Sequence, residues 1–253
     1  MSRRPAERTP PRSHGSRSAW GGAAGIVAAT AAFAAVHSLL ASRRVKRAVG
    51  ERIGERNRAG LYRVLYNGTA VAGAGLVAVV AVRAPGRTLY HVRGPAAGAL
   101  RVGQLAGTLF ALAAVRQVGV TRFLGLPSAL AWLGDGPVPE TPEGQGPALD
   151  AVGLSRAAGP FAWSRHPLNL APLPILWLNP RMTTNLAAFN AAATLYLVVG
   201  SKHEEARLRE AYGERYVAYQ RSGVPFYLPA PRAGATRPLP GPDDAAAVEG
   251  EIE

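Results

Sequence analysis

The charged residues of this chain stand in clumps, and between the clumps lie long stretches with no formal charge. Residues 18–42 form one such stretch, with His37 neutral. Residues 64–82, bracketed by Arg63 and Arg83, form a second, and residues 182–201 a third. Each approaches the ~20 residues a helix needs to cross the hydrocarbon of a bilayer. Each is rich in the Ala, Val, Leu and Gly that membrane helices tolerate. A backbone in hydrocarbon must satisfy its own hydrogen bonds, which for segments of this length means helix. The expectation is an all-α, polytopic integral membrane protein. Its net charge of +13 sits in clusters beside the apolar stretches, which points to membrane lipid as partner and away from nucleic acid.

The chain then divides as follows. Residues 1–18 read as a disordered basic tail. The first apolar stretch is longer than the hydrophobic region of a signal peptide, and no small-x-small cleavage site precedes a soluble domain, so it reads as a span. Spans are expected at 19–41, with Gly21 and Gly25 spaced for close helix contact, at 61–83, and at 96–118, where Arg101 snorkels. A basic connector precedes the second span, and the turn-rich linker APGRTLYHVRGP follows it. Residues 134–159 form a Gly/Pro-rich loop. A helical hairpin follows, 166–178 and 182–201, broken at Asn179-Pro180 because proline removes a backbone bond. An amphipathic cytosolic helix spans 202–221, and 230–253 form a disordered tail. The membrane domain is thus 19–229, with about five transmembrane segments. The basic loop after span one and the basic C-terminal segment belong on the cytoplasmic side by the excess of Lys and Arg there.

Ionisable residues beside a membrane hairpin are functional candidates by default. Arg165 and His166 open the hairpin and Glu204 and Glu205 close it, so antiparallel packing brings both pairs to one membrane face. Such a site suits a zwitterionic ligand, with arginine on a carboxylate and glutamate on an ammonium or on ribose hydroxyls. Glu205, Leu208, Tyr212, Tyr216 and Tyr219 share one helical stripe; read plainly, this is an amphipathic helix with tyrosines at headgroup level. His37, Tyr62, Tyr66 and Asn67 read as polar packing groups. The chain has no cysteine, so disulfides, thiolate metal sites and a cysteine nucleophile are excluded. The scattered histidines argue against a metal centre, and neither a P-loop, a dinucleotide fingerprint nor HExxH is present.

RHP, then LNP, then HEEARLREAYGERYVAYQRSGVPFYLP resembles the C-terminal signature of the isoprenylcysteine carboxyl methyltransferase superfamily. AAVHSLLASRRVKR with YRVLYN resembles the NnrU-like branch, which is similar to bacterial methanethiol S-methyltransferases. The resemblance implies an S-adenosylmethionine-dependent methyltransferase of the bacterial cytoplasmic membrane, acting on a small thiol or lipophilic acceptor, with its cofactor bound by 160–229. By residue match, Arg165, His166 and Pro167 line the cofactor pocket, Glu204 and Glu205 form its polar rim, and Tyr212, Tyr216 and Tyr219 belong to the closing helix. Asn169, where many relatives carry an aromatic residue, and Pro172 and Pro174 depart from the pattern. A non-enzymatic NnrU-like accessory of nitrogen-oxide metabolism, a nicotinamide-dependent membrane reductase and a plain membrane anchor are the alternatives.

Overall fold

A computed structural model describes residues 14–134, 136–139 and 158–227 of the chain. Most of the expected basic tail, most of the Gly/Pro-rich loop and the expected C-terminal tail lie outside the described residues.

The first neutral stretch forms α1 (His14–Ala41) and the second forms the upper part of α3 (Glu55–Arg83). The basic connector between them is itself helical, α2 (Arg43–Ile53), started by Ser42, whose hydroxyl accepts from Val45 N. After α3 come β1 (Thr88–His91), α4 (Gly94–Val118), α5 (Val120–Leu124) and α6 (Leu126–Leu133). The C-terminal part holds α7 (Pro160–Trp163), α8 (Pro167–Leu170), α9 (Pro172–Trp177), β2 (Arg181–Thr183), α10 (Thr184–Tyr212) and α11 (Glu214–Arg221). Among the described residues three helices are long and apolar enough to cross a membrane: α1 from Ser18, α3 and α4. Their large apolar side chains face outward, among them Leu65, Val71, Leu76 and Val82 on α3 and Leu105, Leu109 and Leu112 on α4. Contiguous apolar surface of this kind needs a cover that water cannot be, and these helices fit an integral membrane protein.

α1 packs against both α3 and α10, and α4 against α9. α10 starts where α3 ends, with Thr184 N donating to Arg87 O at 2.9 Å. It finishes where α1 ends, with Arg207 Nη1 donating to Ala41 O at 2.7 Å. The basic connector and the charged end of α10 therefore share one end of the helix bundle, where Arg43 also pairs with Glu210 at 2.7 Å.

Several expectations need correction. Gly21 and Gly25 face open space. The buried face of α1 is instead Ala19, Gly22, Ala23, Ile26 and Thr30, one helical stripe offset from that pair. The 166–178 segment is not one helix. Pro167 and Pro172 each start a short one, a position where the missing N–H costs nothing. Part of the turn-rich linker forms β1, which pairs antiparallel with β2 just after Pro180. Nor are 182–201 and 202–221 separate helices, because α10 runs unbroken to Tyr212. Thr183 caps its start by accepting from Leu186 N at 3.1 Å. The break comes at Gly213, whose φ of 56° only glycine adopts without strain at this backbone shape.

A Cβ on Gly22 would overlap the Pro85 carbonyl oxygen, a backbone atom that cannot step aside. Gly22→Val is therefore expected to destabilise the protein by about 1–3 kcal/mol, as overpacking does, while Gly21→Val leaves it unchanged. Thermal unfolding in detergent checks the contrast, and equal melting temperatures for the two variants would contradict the packing of α1 on the end of α3.

Candidate functional site

The structure brings Arg165, His166, Glu204 and Glu205 together. α8 and α9 lie antiparallel to α10: His166 meets Glu205, Asn169 Nδ2 donates to Ser201 Oγ at 2.8 Å, and Trp177 Nε1 donates to Thr194 Oγ1 at 2.9 Å. Arg165 Nε donates to Glu205 Oε1 at 2.8 Å, and His166 Nε2 lies 3.2 Å from the same oxygen. His166 Nδ1 stands 3.6 Å from Glu204 Oε2. Gln220, on α11, donates to the second oxygen of Glu205 at 2.8 Å.

The cluster also holds the C-terminal segment after α11. Arg165 Nη1 donates to Val224 O at 2.8 Å, Arg165 N to Pro225 O at 2.9 Å, and Ser164 Oγ to Phe226 O at 3.0 Å. The Phe226 ring lies tilted against His166, centroids 4.8 Å apart, and beneath the Arg165 guanidinium at 5.7 Å. The tyrosines expected at headgroup level are inside instead. Tyr216 and Tyr219 pack with Leu208 and Val224, with Tyr212 at the edge, and Tyr219 OH donates to Phe161 O at 2.8 Å. Gly213 makes this possible by turning α11 back onto α10.

The charges in the cluster set each other's ionisation. Burial alone would raise the Glu205 pKa, but the hydrogen bonds from His166 and Arg165 outweigh it and hold the carboxyl down at about 2. Burial pulls His166 down, yet the bonds to Glu204 and Glu205 prevail and the net shift is upward.

Glu204 faces both ways. On its far side is a cavity of about 430 Å³ between α1, α3 and α10, whose wall includes His37, Arg63, Tyr66, Tyr196, Glu204 and Arg207. Of the expected site residues only Glu204 reaches this wall; Arg165, His166, Pro167 and Glu205 stand behind it, and Tyr212, Tyr216 and Tyr219 are further back, in the aromatic cluster. Residues read as packing groups prove to be wall residues: His37, Tyr62 and Tyr66. Tyr66 Oη and His37 Nε2 are 2.6 Å apart, and Tyr62 OH donates to Leu40 O at 2.6 Å. Arg63, Tyr196 and Arg207 were not singled out by the sequence. A signal existed for part of this group, since Tyr62 and Tyr66 are one helical turn apart and polar groups on an apolar helix are rarely idle. Asn169 also lines the cavity.

Cations and a carboxylate around one half-enclosed space can hold a ligand bearing both signs. Comparison with known proteins narrows the field. The chain is similar to methanethiol S-methyltransferases. It is 34% identical to the one from Pseudomonas deceptionensis over 86 residues, which are 34% of this chain and 32% of that protein. It is 33% identical to the one from Crocosphaera subtropica over 69 residues, 27% of each. The matches thus span less than a third of the length of either curated relative. No family model and no solved structure matches the chain. These likenesses support a methyltransferase-like membrane family.

Two outcomes follow from the cluster. Removing one partner of a buried charge pair costs about 3–5 kcal/mol, so Arg165→Ala lowers the melting temperature in detergent and frees residues 224–227 for proteolysis. Arg165→Lys does not repair this, because one ammonium cannot reach both Glu205 and Val224 O as the guanidinium fork does; full rescue by lysine would contradict the arrangement. The pH dependence has two limbs. A depressed carboxyl stabilises the fold above its unfolded value of ~4.3, and a raised histidine does so below its unfolded ~6.5. Stability is therefore highest between these values. It declines toward acid as Glu205 titrates near 2 and toward alkali as His166 loses its proton. His166→Asn should flatten the alkaline limb in pH-dependent melting curves.

Proposed function

We propose that this chain is an integral membrane methyltransferase that moves a methyl group from S-adenosylmethionine to a small thiol or another lipophilic acceptor. The observation that carries the reading is the cavity: about 430 Å³, with Glu204 and the cations Arg63 and Arg207 in its wall, in a chain similar to thiol methyltransferases. Its size falls in the range of small-molecule sites. Arg207 adds a further sign of fit, since its Nε is buried without a hydrogen-bond partner, a cost a bound ligand can offset.

In this reading Arg63 and Arg207 take the carboxylate of the cofactor, and Glu204 takes its ammonium or ribose. Arg165, His166 and Glu205 hold Glu204 in place from behind. Pro167 starts the short helix that carries Asn169 to the cavity, and Tyr212, Tyr216 and Tyr219 hold α11 and the C-terminal segment against the cluster. S-adenosylmethionine, when bound, supplies a methyl group on a cationic sulfur. The residues of the chain then have to orient two reactants in line and keep water out, and positioning of this kind supplies much of a transfer rate. The outward-facing apolar helices suit an uncharged acceptor that reaches the site from the bilayer.

The same reading takes the five-segment topology, with α8–α9 and α10 as a helical hairpin completing three longer spans. Its support is that α10 starts beside the end of α3, with Asn185 on Ala84 O where Gly22 of α1 meets Pro85, and reaches Ala41 at the other end of α1 through Arg207. The end carrying α2 and the charged half of α10 is cytoplasmic by its excess of basic residues. A non-enzymatic accessory role is less favoured, because both curated relatives carry the name of a methyltransferase.

Calorimetry on the detergent-purified full chain tests the proposal. S-adenosylmethionine is expected to bind and NADPH is not. Arg207→Ala should weaken binding about ten- to a hundredfold, as loss of a charge-assisted contact of ~1.5–3 kcal/mol does. Wild-type protein that binds neither compound would return the accessory role to first place, and binding of NADPH alone would favour a reductase.

A further inference from the structure

One pair in the cavity wall is not among the cofactor contacts proposed above. Tyr66 on α3 and His37 on α1 share a 2.6 Å hydrogen bond, with ring centroids 4.5 Å apart. Phe33 stacks on the imidazole at 5.4 Å, and Tyr196 meets it edge-on at 6.2 Å. His37 Nδ1 is buried and has no hydrogen-bond partner. The imidazole is thus half-buried in the cavity wall, with its Nε2 at the Tyr66 hydroxyl. The titratable and charged groups that line the cavity with the pair are Tyr62 and Arg63 from α3, Tyr196, His203, Glu204 and Arg207 from α10, and Lys46 from α2. A histidine hydrogen-bonded to a phenol in the wall of one cavity has the layout of a proton acceptor working through a relay.

We propose that Tyr66 and His37 are the proton relay for an acceptor that arrives as a neutral thiol. This rests on the methyltransferase reading above and adds to it the residues that activate a thiol acceptor. Thiols ionise near or above pH ~8.5, and only the thiolate is a strong nucleophile. A carboxylate acceptor arrives already ionised and needs no relay. The S–H bond breaks with its proton passing to Tyr66 Oη, while the Tyr66 hydroxyl proton passes to His37 Nε2, leaving His37 as imidazolium. The electron pair of the thiolate sulfur forms the new S–CH3 bond. The bond between that methyl and the sulfonium donor breaks, and its pair stays on the donor sulfur, which becomes a neutral thioether.

The first test needs no donor. Ethanethiol added to the detergent-purified full chain at neutral pH is expected to show the ultraviolet thiolate band, and Tyr66→Phe and His37→Asn to lose it. With S-adenosylmethionine present, Tyr66→Phe should lower kcat for ethanethiol about 10²–10⁴-fold, the usual weight of general-base catalysis. The loss should be far smaller for thiophenol, which ionises near neutrality without help. No thiolate band in wild type, a band unchanged in Tyr66→Phe, or equal losses for both thiols would each overturn the relay; the last would mark Tyr66 as merely structural. A wild-type protein that forms the band yet neither binds nor uses S-adenosylmethionine would instead overturn the methyltransferase reading alone.

Discussion

The carboxylate of Glu205 is the point on which the C-terminal part of the molecule turns. Arg165 and His166 reach it from the segment before α8, and Gln220 from α11. A charge this far from water is tolerated only when its lone pairs are filled. Filling them draws the start of α8, the charged half of α10 and the whole of α11 to one spot. Arg165 then carries the order outward, since its other arm and its backbone N–H bind the carbonyls of Val224 and Pro225. Without that anchor only the bonds from Ser164 and Ser201 would hold 224–227 over His166, and the cluster of Leu208, Tyr216, Tyr219 and Val224 would lose one of its sides.

The cavity depends on a different constraint, the close approach of α1 and α3. Gly73 lies under the Phe33 ring, and a Cβ there would come within 2.6 Å of it. The two helices can therefore press together near their middles, while toward the shared end their polar residues, His37 on one and Tyr62, Arg63 and Tyr66 on the other, surround an open space. α10 closes the third side with Tyr196, Glu204 and Arg207. Glu204 couples the two constructions. It touches His166 in the cluster and belongs to the cavity wall, so an order imposed by Glu205 is passed one residue along the helix to the space where a ligand would sit.

What could be read from the sequence and what could not follows a simple division. The runs behind α1, α3 and α4 were legible because a bilayer excludes charge, and exclusion leaves a mark that needs no knowledge of neighbours. The meeting of Arg165 and His166 with Glu204 and Glu205 was legible for a similar reason, a break at Asn179-Pro180 between two segments of opposite direction. The details between those marks were not. Which glycine of α1 meets a partner depends on where Pro85 lies. The unbroken course of α10 defeats a reading by polarity, because a helix that leaves an apolar environment has no reason to stop there. The strands β1 and β2 are too short to show a period, and each exists only because the other is beside it.

By itself, the sequence determined the membrane class, the approximate length and place of the long helices, and the two charged pairs that meet, since charge, hydropathy and proline act locally. Only the tertiary structure decided that Arg165, His166 and Glu205 satisfy one another and the C-terminal segment while Glu204 alone turns to the cavity. It also decided that His37, Tyr66 and Arg207, scattered over most of the chain, line one space. The reason is that a polar residue in a helix declares its own character and its own face, but its partner is chosen by how helices distant in sequence pack.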